Sequence, residues 1–357
     1  MKLSRILIYS FVAASTALVG CSDSNPNAKV KKPRIAIVTN NPATFWNICE
    51  AGARKAEAEL NAAGNPIEVI FRKPEKGDVA VQTETIDAVM KQGISGIAIS
   101  VQNPKEQTSD LKRIGTKVNL LTMDNDAPDC GRKAYIGTDN YKAGRAAGRL
   151  VKEVMPGGGT VVIFVGSVSS ANGISRRDGV LHELAGLSMT PTEAEIPKGP
   201  AYGQYTLYTN AAITDTGNAS IAQENATSVM NKLLGEKNLT MVGLYAYNPP
   251  AILEAVRSVK KVGEVKIVGF DEDDATLAGI VKGDIHATVV QDPYMFGYQT
   301  VKALDALAKD GNAKIADGIV PHRIITKSGA AVKGDNEKRM DVVEFKKELD
   351  ERKREIK

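Results

Sequence analysis

The feature that most limits this chain is an alternation running almost from end to end. Short apolar, β-branched runs are each followed by a stretch with apolar residues at helical spacing. "RIAIVT" (34–39), "IEVIF" (67–71), "GIAIS" (96–100) and "KVNLLTMD" (117–124) predict strands. Helices fall over 45–62, over 79–92, from Pro104 onward with proline in the first turn, and over 140–154. The second half repeats the scheme. "TVVIFVG" (160–166), "MVGLYAY" (241–247), "VKIVGFD" (265–271) and "ATVVQD" (287–292) predict strands, with helices over 172–186, 219–234, 250–259, 275–282 and 294–309. Residues 190–216 are less regular. Apolar strands separated by helices form βαβ units, in parallel sheets covered on both faces. Two such sets predict an α/β protein of two doubly wound parallel-sheet lobes.

The sets look like copies of one another. Phe45 lies seven residues before Gly52 in the first helix of one, and Asn172 lies seven before Gly179 in the matching helix of the other. Open α/β sheets bind ligands beyond the carboxyl ends of their strands. The residues there are Asn41, Phe45 and Trp46, Asn103, Asp124 and Asn125, Arg176, Asn248, Asp271 and Gln291. Amides and carboxylates pair with vicinal hydroxyls, arginine offers a planar fork, and flat aromatic faces cover C–H patches. That set suits a neutral polyhydroxylated ring. The single tryptophan, Trp46, is expected to stack on it with Phe45 beside it, rather than to fill a core.

Ahead of this body, Lys2 and Arg5 precede an apolar run (Ile6 to Val19) and the tetrad Leu18-Val19-Gly20-Cys21, the pattern of a secretory signal over 1–20. The tetrad resembles the bacterial lipobox, which implies lipid on Cys21 and attachment to a membrane face. Residues 21–33 read as a tether. Without the signal the formal charge drops from +4 to +2 (Lys2 and Arg5 removed, no acids), a balance that argues against a nucleic-acid partner. Cys49 and Cys130 could pair or remain two buried thiols.

The landmarks "FWNICEAG", "ISVQNP", "LLTMDNDAP", "YIGTDNYKAGRAAG", "ANGISRRDGV", "LYAYNPPAIL", "IVGFDEDDATLAGI" and "VVQDPYMFGYQ", in that order across about 34–334, resemble the bacterial periplasmic sugar-binding proteins of the ribose-binding type. The resemblance implies a type I periplasmic binding protein, with two lobes joined by a three-strand hinge and crossings near Gly137–Tyr141, Gln291–Tyr294 and about 318–324. It places 34–138 and 292–320 in the N-terminal lobe, and 139–291 and 321–334 in the C-terminal lobe. It implies a monomeric, periplasmic or surface-exposed receptor that closes on a monosaccharide and delivers it to the membrane permease of an ABC importer, with no cofactor. The paired aromatics map onto Phe45 and Trp46, and the polar contacts onto Asn103, Asp124, Arg176, Asn248, Asp271 and Gln291. The "NPATFWN" loop is longer than the ribose binder's, and Asn125 stands where the family often has Arg or Ser. A polyol or furanosyl autoinducer is the alternative ligand.

Other classes fit less well. The chain lacks G-x-S-x-G, a P-loop, and G-x-G-x-x-G behind the first strand, so no enzyme is expected. Asp124 and Asp271 could form a glycosidase pair, but nothing evident in the sequence raises either pKa. "DEDDATLAGI" lacks the glycine and terminal glutamate of a calcium loop, and Glu272 to Asp274 read as a solvated face. The three histidines are scattered, so no metal is expected. A lactose-repressor-type regulator would need a DNA-binding helix-turn-helix where the signal stands. Asn248, ahead of Pro249, also fits a helix cap. In the tail, 335–357, Val342, Val343, Phe345 and Leu349 offer a packed face, with fraying expected beyond 349.

Overall fold

The computed structural model describes residues 32–332 and 336–354. The expected signal, Cys21 and most of the tether lie outside the described residues. The first lobe is laid down as β1 (Arg34–Val38), α1 (Phe45–Ala62), β2 (Glu68–Arg72), α2 (Val79–Met90), β3 (Gly96–Ile99), α3 (Pro104–Gly115), β4 (Asn119–Met123) and β5 (Tyr135–Gly137). Then come α4 (Asn140–Val154), β6 (Gly159–Val165), α5 (Ala171–Leu184), β7 (Ala201–Tyr202), β8 (Tyr205–Leu207), β9 (Ile213–Thr214), α6 (Ala219–Lys232), β10 (Leu239–Gly243), α7 (Asn248–Ser258), β11 (Lys266–Phe270), α8 (Asp274–Lys282) and β12 (Ala287–Val290). The remainder is α9 (Pro293–Lys309), β13 (Gly318–Ile319), β14 (Arg323–Thr326), β15 (Arg339–Asp341) and α10 (Val342–Arg354).

Two sheets result. One has the order β13-β5-β4-β3-β1-β2 and is parallel throughout. The other has the order β15-β14-β12-β11-β10-β6-β8-β7, with β9 beside β6 and antiparallel pairs at β12–β14 and β7–β8. The chain passes between the sheets after β5, after β12 and between β13 and β14. Central strands such as β3 and β10 are buried along their length, as helices on both faces require. Helices open on Asp or Asn, whose side chains accept the otherwise unpaired N–H groups of the first turn: Asp78 for α2, Asp139 for α4, Asn218 for α6 and Asp273 for α8.

Glycines set how closely the helices flanking the crossings approach. A Cβ on Gly52 of α1 would stand 1.9 Å from the Tyr294 carbonyl oxygen, and one on Gly297 of α9 would stand 1.9 Å from that of Cys49. In the second lobe Gly144 of α4 and Gly179 of α5 repeat the arrangement, at 2.2 Å from the Arg176 carbonyl oxygen and 2.3 Å from that of Tyr141.

Two expectations need correction. The strand expected over 241–247 ends at Gly243, and the chain turns through Tyr245 and Tyr247 before the prolines fix the first turn of α7. The fraying expected beyond 349 is not seen up to Arg354. β15 joins the second sheet through β14, and α10 buries Val342, Phe345 and Leu349. Those side chains share a core with Ile48 of α1, so the C-terminal segment spans the junction of the lobes. Arg352 bonds Asp292 between β12 and α9 at 2.5 Å and lies 5.0 Å over the Tyr294 ring. The cysteines, left open above, are both free and buried, with the Cys49 thiol 3.8 Å from the Met123 sulfur. No helix among the described residues is long and apolar enough to cross a membrane.

Candidate ligand site between the lobes

The strand ends of the two lobes face each other across a cavity of about 440 Å³, which opens into a wider outer cleft of about 920 Å³. The inner volume suits a small molecule. From the first lobe come Asn40, Asn41, Phe45, Trp46 and Asp124, and from the second Asn172, Arg176, Tyr245, Asp271 and Glu272, with Gln291 from the crossing after β12.

Trp46 is 2% exposed and has two surroundings at once. It packs within the first lobe's core and also lines the cavity. This qualifies the expectation that a stacking tryptophan stays out of the core. Its indole N–H donates to Asn41 Oδ1 at 3.1 Å, and Phe45 meets it edge-on with centroids 5.0 Å apart. Asn41 Oδ1 also accepts from Ala43 N at 2.8 Å, which fixes the "NNPATFW" turn, while its Nδ2 donates across the cleft to the Tyr245 hydroxyl at 3.3 Å.

Asp124 and Asp271 occupy equivalent places, one residue past β4 and one past β11. Both adopt left-handed backbone, with φ of 63° and 64°. Non-glycine residues seldom do so, and such geometry concentrates at functional sites. Asp124 Oδ2 accepts from Ser100 Oγ at 2.9 Å, and Asp271 Oδ1 accepts from Gln291 Nε2 at 2.9 Å. Burial pushes the Asp124 carboxyl up to about 6, against the pull of the Arg176 charge and the Ser100 hydrogen bond. Burial also raises Asp271, again opposed by Arg176. A device that raises these carboxyls is therefore present, contrary to the sequence reading. It moves both in the same direction, whereas an acid–base pair needs two carboxyls driven apart.

Arg176 is aimed by three contacts. Its Nε donates to Asn140 Oδ1 at 2.8 Å, its Nη1 donates to the Leu244 carbonyl at 3.1 Å, and its guanidinium lies 4.0 Å over the Phe270 ring. Nη2 has no partner among the described residues, and neither has Gln291 Oε1. Both atoms are closed off from solvent and belong to residues lining the cavity, as recognition groups for a ligand would be.

Not every expected contact converges here. Asn103 lines only the outer cleft and caps α3, accepting from Lys105 N at 3.1 Å and donating to Glu106 at 2.5 Å. Asn125 lies in the outer cleft too, where its Oδ1 accepts from Asn172 N of the other lobe at 3.0 Å. Asn248 lines neither space. It is the first residue of α7 and not its cap, and its Nδ2 donates to Asp215 Oδ2 at 2.5 Å. Residues the sequence reading did not name as contacts include Tyr245, in the bend after β10, and Asn172, in the first turn of α5, while Asp215, just after β9, enters only as the partner of Asn248. Burial raises the Asp215 carboxyl to about 6. Glu272, expected on a solvated face, is instead 9% exposed, because the left-handed turn at Asp271 directs it inward.

A two-lobed α/β protein with a polar cleft between parallel-sheet strand ends is the architecture of a solute receptor. Residues 35–313 match the model of the periplasmic binding protein domain family, and the chain belongs to that family. Its members are solute receptors and not enzymes. The chain is 25% identical over 284 residues to a D-allose-binding periplasmic protein of Escherichia coli, covering 76% of this chain and 82% of the relative. It is 24% identical over 338 residues to a D-ribose/D-allose-binding protein of Pseudomonas aeruginosa, covering 88% and 96%. A crystal structure of a Burkholderia graminis ABC transporter solute-binding protein in complex with D-arabinose superimposes with a TM-score of 0.72 at 22% identity, covering 83% of this chain and 96% of that one.

Proposed function

We propose that this protein is the substrate-binding component of an ABC sugar importer and closes on one neutral monosaccharide in the interlobe cavity. The observation that carries the reading is the convergence of Asp124, Asp271, Arg176 and Gln291, drawn from both lobes and the crossing, on one cavity beside Phe45 and Trp46. The aspartates and Gln291 pair with hydroxyls, Arg176 Nη2 donates to a further ligand oxygen, and the aromatics cover a C–H face. Asn103 and Asn248 act indirectly, through the cap of α3 and through Asp215. Cys21 carries the lipid that holds a monomeric receptor at the periplasmic or outer membrane face.

Closure follows from differential affinity: a ligand that touches both lobes favours the closed state by the contacts it makes only there. The test is a thermal-shift panel of D-ribose, D-allose, D-arabinose, D-xylose, D-galactose and myo-inositol on the chain from residue 22 onward. A sugar at about a thousand times its Kd adds about 4 kcal/mol and raises Tm by about 5 to 10 °C. The same titration, followed by tryptophan emission, reads Trp46 alone. Absence of any shift at millimolar sugar would refute the reading, and a response to myo-inositol alone would reassign the ligand to the polyols.

A further inference from the structure

Glu272 follows the left-handed Asp271 and precedes Asp273, the cap of α8. In the run Asp271-Glu272-Asp273-Asp274 the last carboxylate is almost wholly exposed, yet Glu272 is enclosed. Its side chain stands between two spaces: the ligand cavity on one side and a small void against α10 on the other, walled by Ile48, Pro293, Phe345 and Leu349. Neither carboxyl oxygen has a hydrogen-bond partner among the described residues. The cations on the α10 side are engaged elsewhere. Arg323 holds both oxygens of Glu348 at 3.0 and 2.8 Å, and Arg352 bonds Asp292 at 2.5 Å and Glu348 at 2.9 Å. Leaving an enclosed polar group unpaired is destabilising, so a group kept in that state on a cavity wall points to a partner arriving through the cavity.

We propose that Glu272 is a further specificity-determining residue of this site, whose carboxyl pairs with a hydroxyl of an uncharged sugar from the α10 side of the cavity. The inference rests on the sugar-receptor reading and adds a contact to it. Burial, then the neighbouring Asp271 and Asp292, hold this carboxyl well above the usual carboxylate range, with Arg323 pulling weakly the other way. In its neutral form the group would donate through its O–H to one ligand oxygen and accept from a second hydroxyl at its carbonyl. An anionic sugar would meet Asp124 and Asp271 as well as Glu272, with Arg176 the one enclosed cation lining the space.

Calorimetric titration of the wild type, Glu272→Gln and Glu272→Leu with D-ribose, D-allose, D-xylose, D-arabinose, D-glucose, D-glucosamine and D-galacturonate, between about pH 5.5 and 8.5, tests this. For the neutral sugar that binds, Glu272→Gln retains affinity within about threefold near pH 7, because the amide also donates and accepts, while Glu272→Leu loses about tenfold or more. The unliganded Glu272→Leu melts no lower than the wild type, since an apolar residue replaces an unpaired carboxyl. Wild-type affinity weakens relative to Glu272→Gln as pH rises. The difference between those two profiles reads Glu272, because Asp124, Asp271 and Asp292 are present in both, as are Arg176, Arg323, Arg352 and Glu348. Wild-type affinity from Glu272→Leu overturns the inference and leaves the sugar-receptor reading intact. Tighter wild-type binding of D-glucosamine than of D-glucose, abolished in Glu272→Gln, overturns the uncharged pairing in favour of a carboxylate–ammonium one. Failure of every sugar to bind the wild type overturns both.

Discussion

The two lobes solve the same structural problem twice and then diverge in chemistry. Each has a pair of helices crossing through two glycines, α1 with α9 in one and α4 with α5 in the other. Each also turns its chain in a left-handed aspartate after the equivalent strand, Asp124 or Asp271. The first lobe then supplies Phe45 and Trp46 to the cavity wall, and the second supplies Tyr245, the enclosed cation Arg176 and the unpaired carboxyl of Glu272. The second lobe also carries the irregular β7–β9 region and the β15–α10 segment, which packs against Ile48 of the first lobe. Duplication thus fixes where ligand groups stand, and single residues at those places fix what they recognise.

The scaffold half of the comparison breaks most violently at the glycines. Gly52→Val places a side chain into the Tyr294 backbone, and Gly144→Val does the same at Arg176, so neither clash is relieved by a rotamer change. Each is expected to cost about 4 kcal/mol or more, seen as loss of the cooperative unfolding transition or a Tm fall of about 10 °C. If only one of the two is damaging, the lobes are not built alike. Next in size is Arg176→Met, which removes the cation facing Asp124 and Asp271 and the groups bonded to Asn140 and Leu244. Sugar affinity should fall about 100-fold. The enclosed contacts to Asn140, Leu244 and Phe270 also predict a loss of about 2 kcal/mol in the unliganded chain, measurable by urea titration.

A smaller effect sets Asp124 of the first lobe beside Asp215 of the second. Both carboxyls are raised by burial to about 6 from an ordinary 3.8. A raised acid takes up its proton more readily in the folded state. Its stabilising contribution is therefore complete below about pH 4 and is lost as pH rises through about 6. Glu153, Glu183 and Glu337, lowered by their basic partners, act oppositely but below their ordinary 4.5. Between about pH 7.5 and 5 the unliganded protein should gain about 1 kcal/mol from each aspartate, and Asp124→Asn or Asp215→Asn should each remove its share. A flat stability profile over that range would contradict the burial assigned to both.

What could be read in advance followed the strength of the local pattern. β1, β3 and β6 announce themselves because strands covered on both faces must be apolar throughout, and α1 starts at Phe45, where its apolar spacing starts. Side-chain destinations at strand ends were less legible. Asp124 and Asp271 carry no periodic mark of their left-handed turns, and it is the turn at Asp271 that sends Glu272 inward while Asp274 stays in water. Asn103 and Asn248 were chosen by the same logic as Asp124, yet a one-residue difference in where α3 and α7 begin decides whether an asparagine faces a cap, a carboxylate or the cleft. The packing of α10 was hidden for another reason. Phe345 and Leu349 look sparse among charges until Ile48, some 300 positions away in sequence, supplies the surface they cover.

The smallest effect tests whether the lobes meet through equal or unequal latches. Asn41 donates to Tyr245 at 3.3 Å and Asn125 accepts from Asn172 N at 3.0 Å, so each crosses the cleft with one hydrogen bond. Asn125 also donates to the Val101 carbonyl, and Asn41 also holds the Trp46 indole. Tyr245→Phe removes only the hydroxyl that Asn41 meets, and should cost about 0.5 to 1 kcal/mol of the closed state, seen as a two- to fivefold weaker sugar Kd without a change in unliganded Tm. Asn125→Ala additionally leaves the Val101 carbonyl unpaired, so its unliganded Tm should fall by about 2 °C alongside a similar loss of affinity. If Tyr245→Phe lowers the unliganded Tm by as much, the Asn41 contact helps to hold the free protein together and is not a latch reserved for the closed, liganded state.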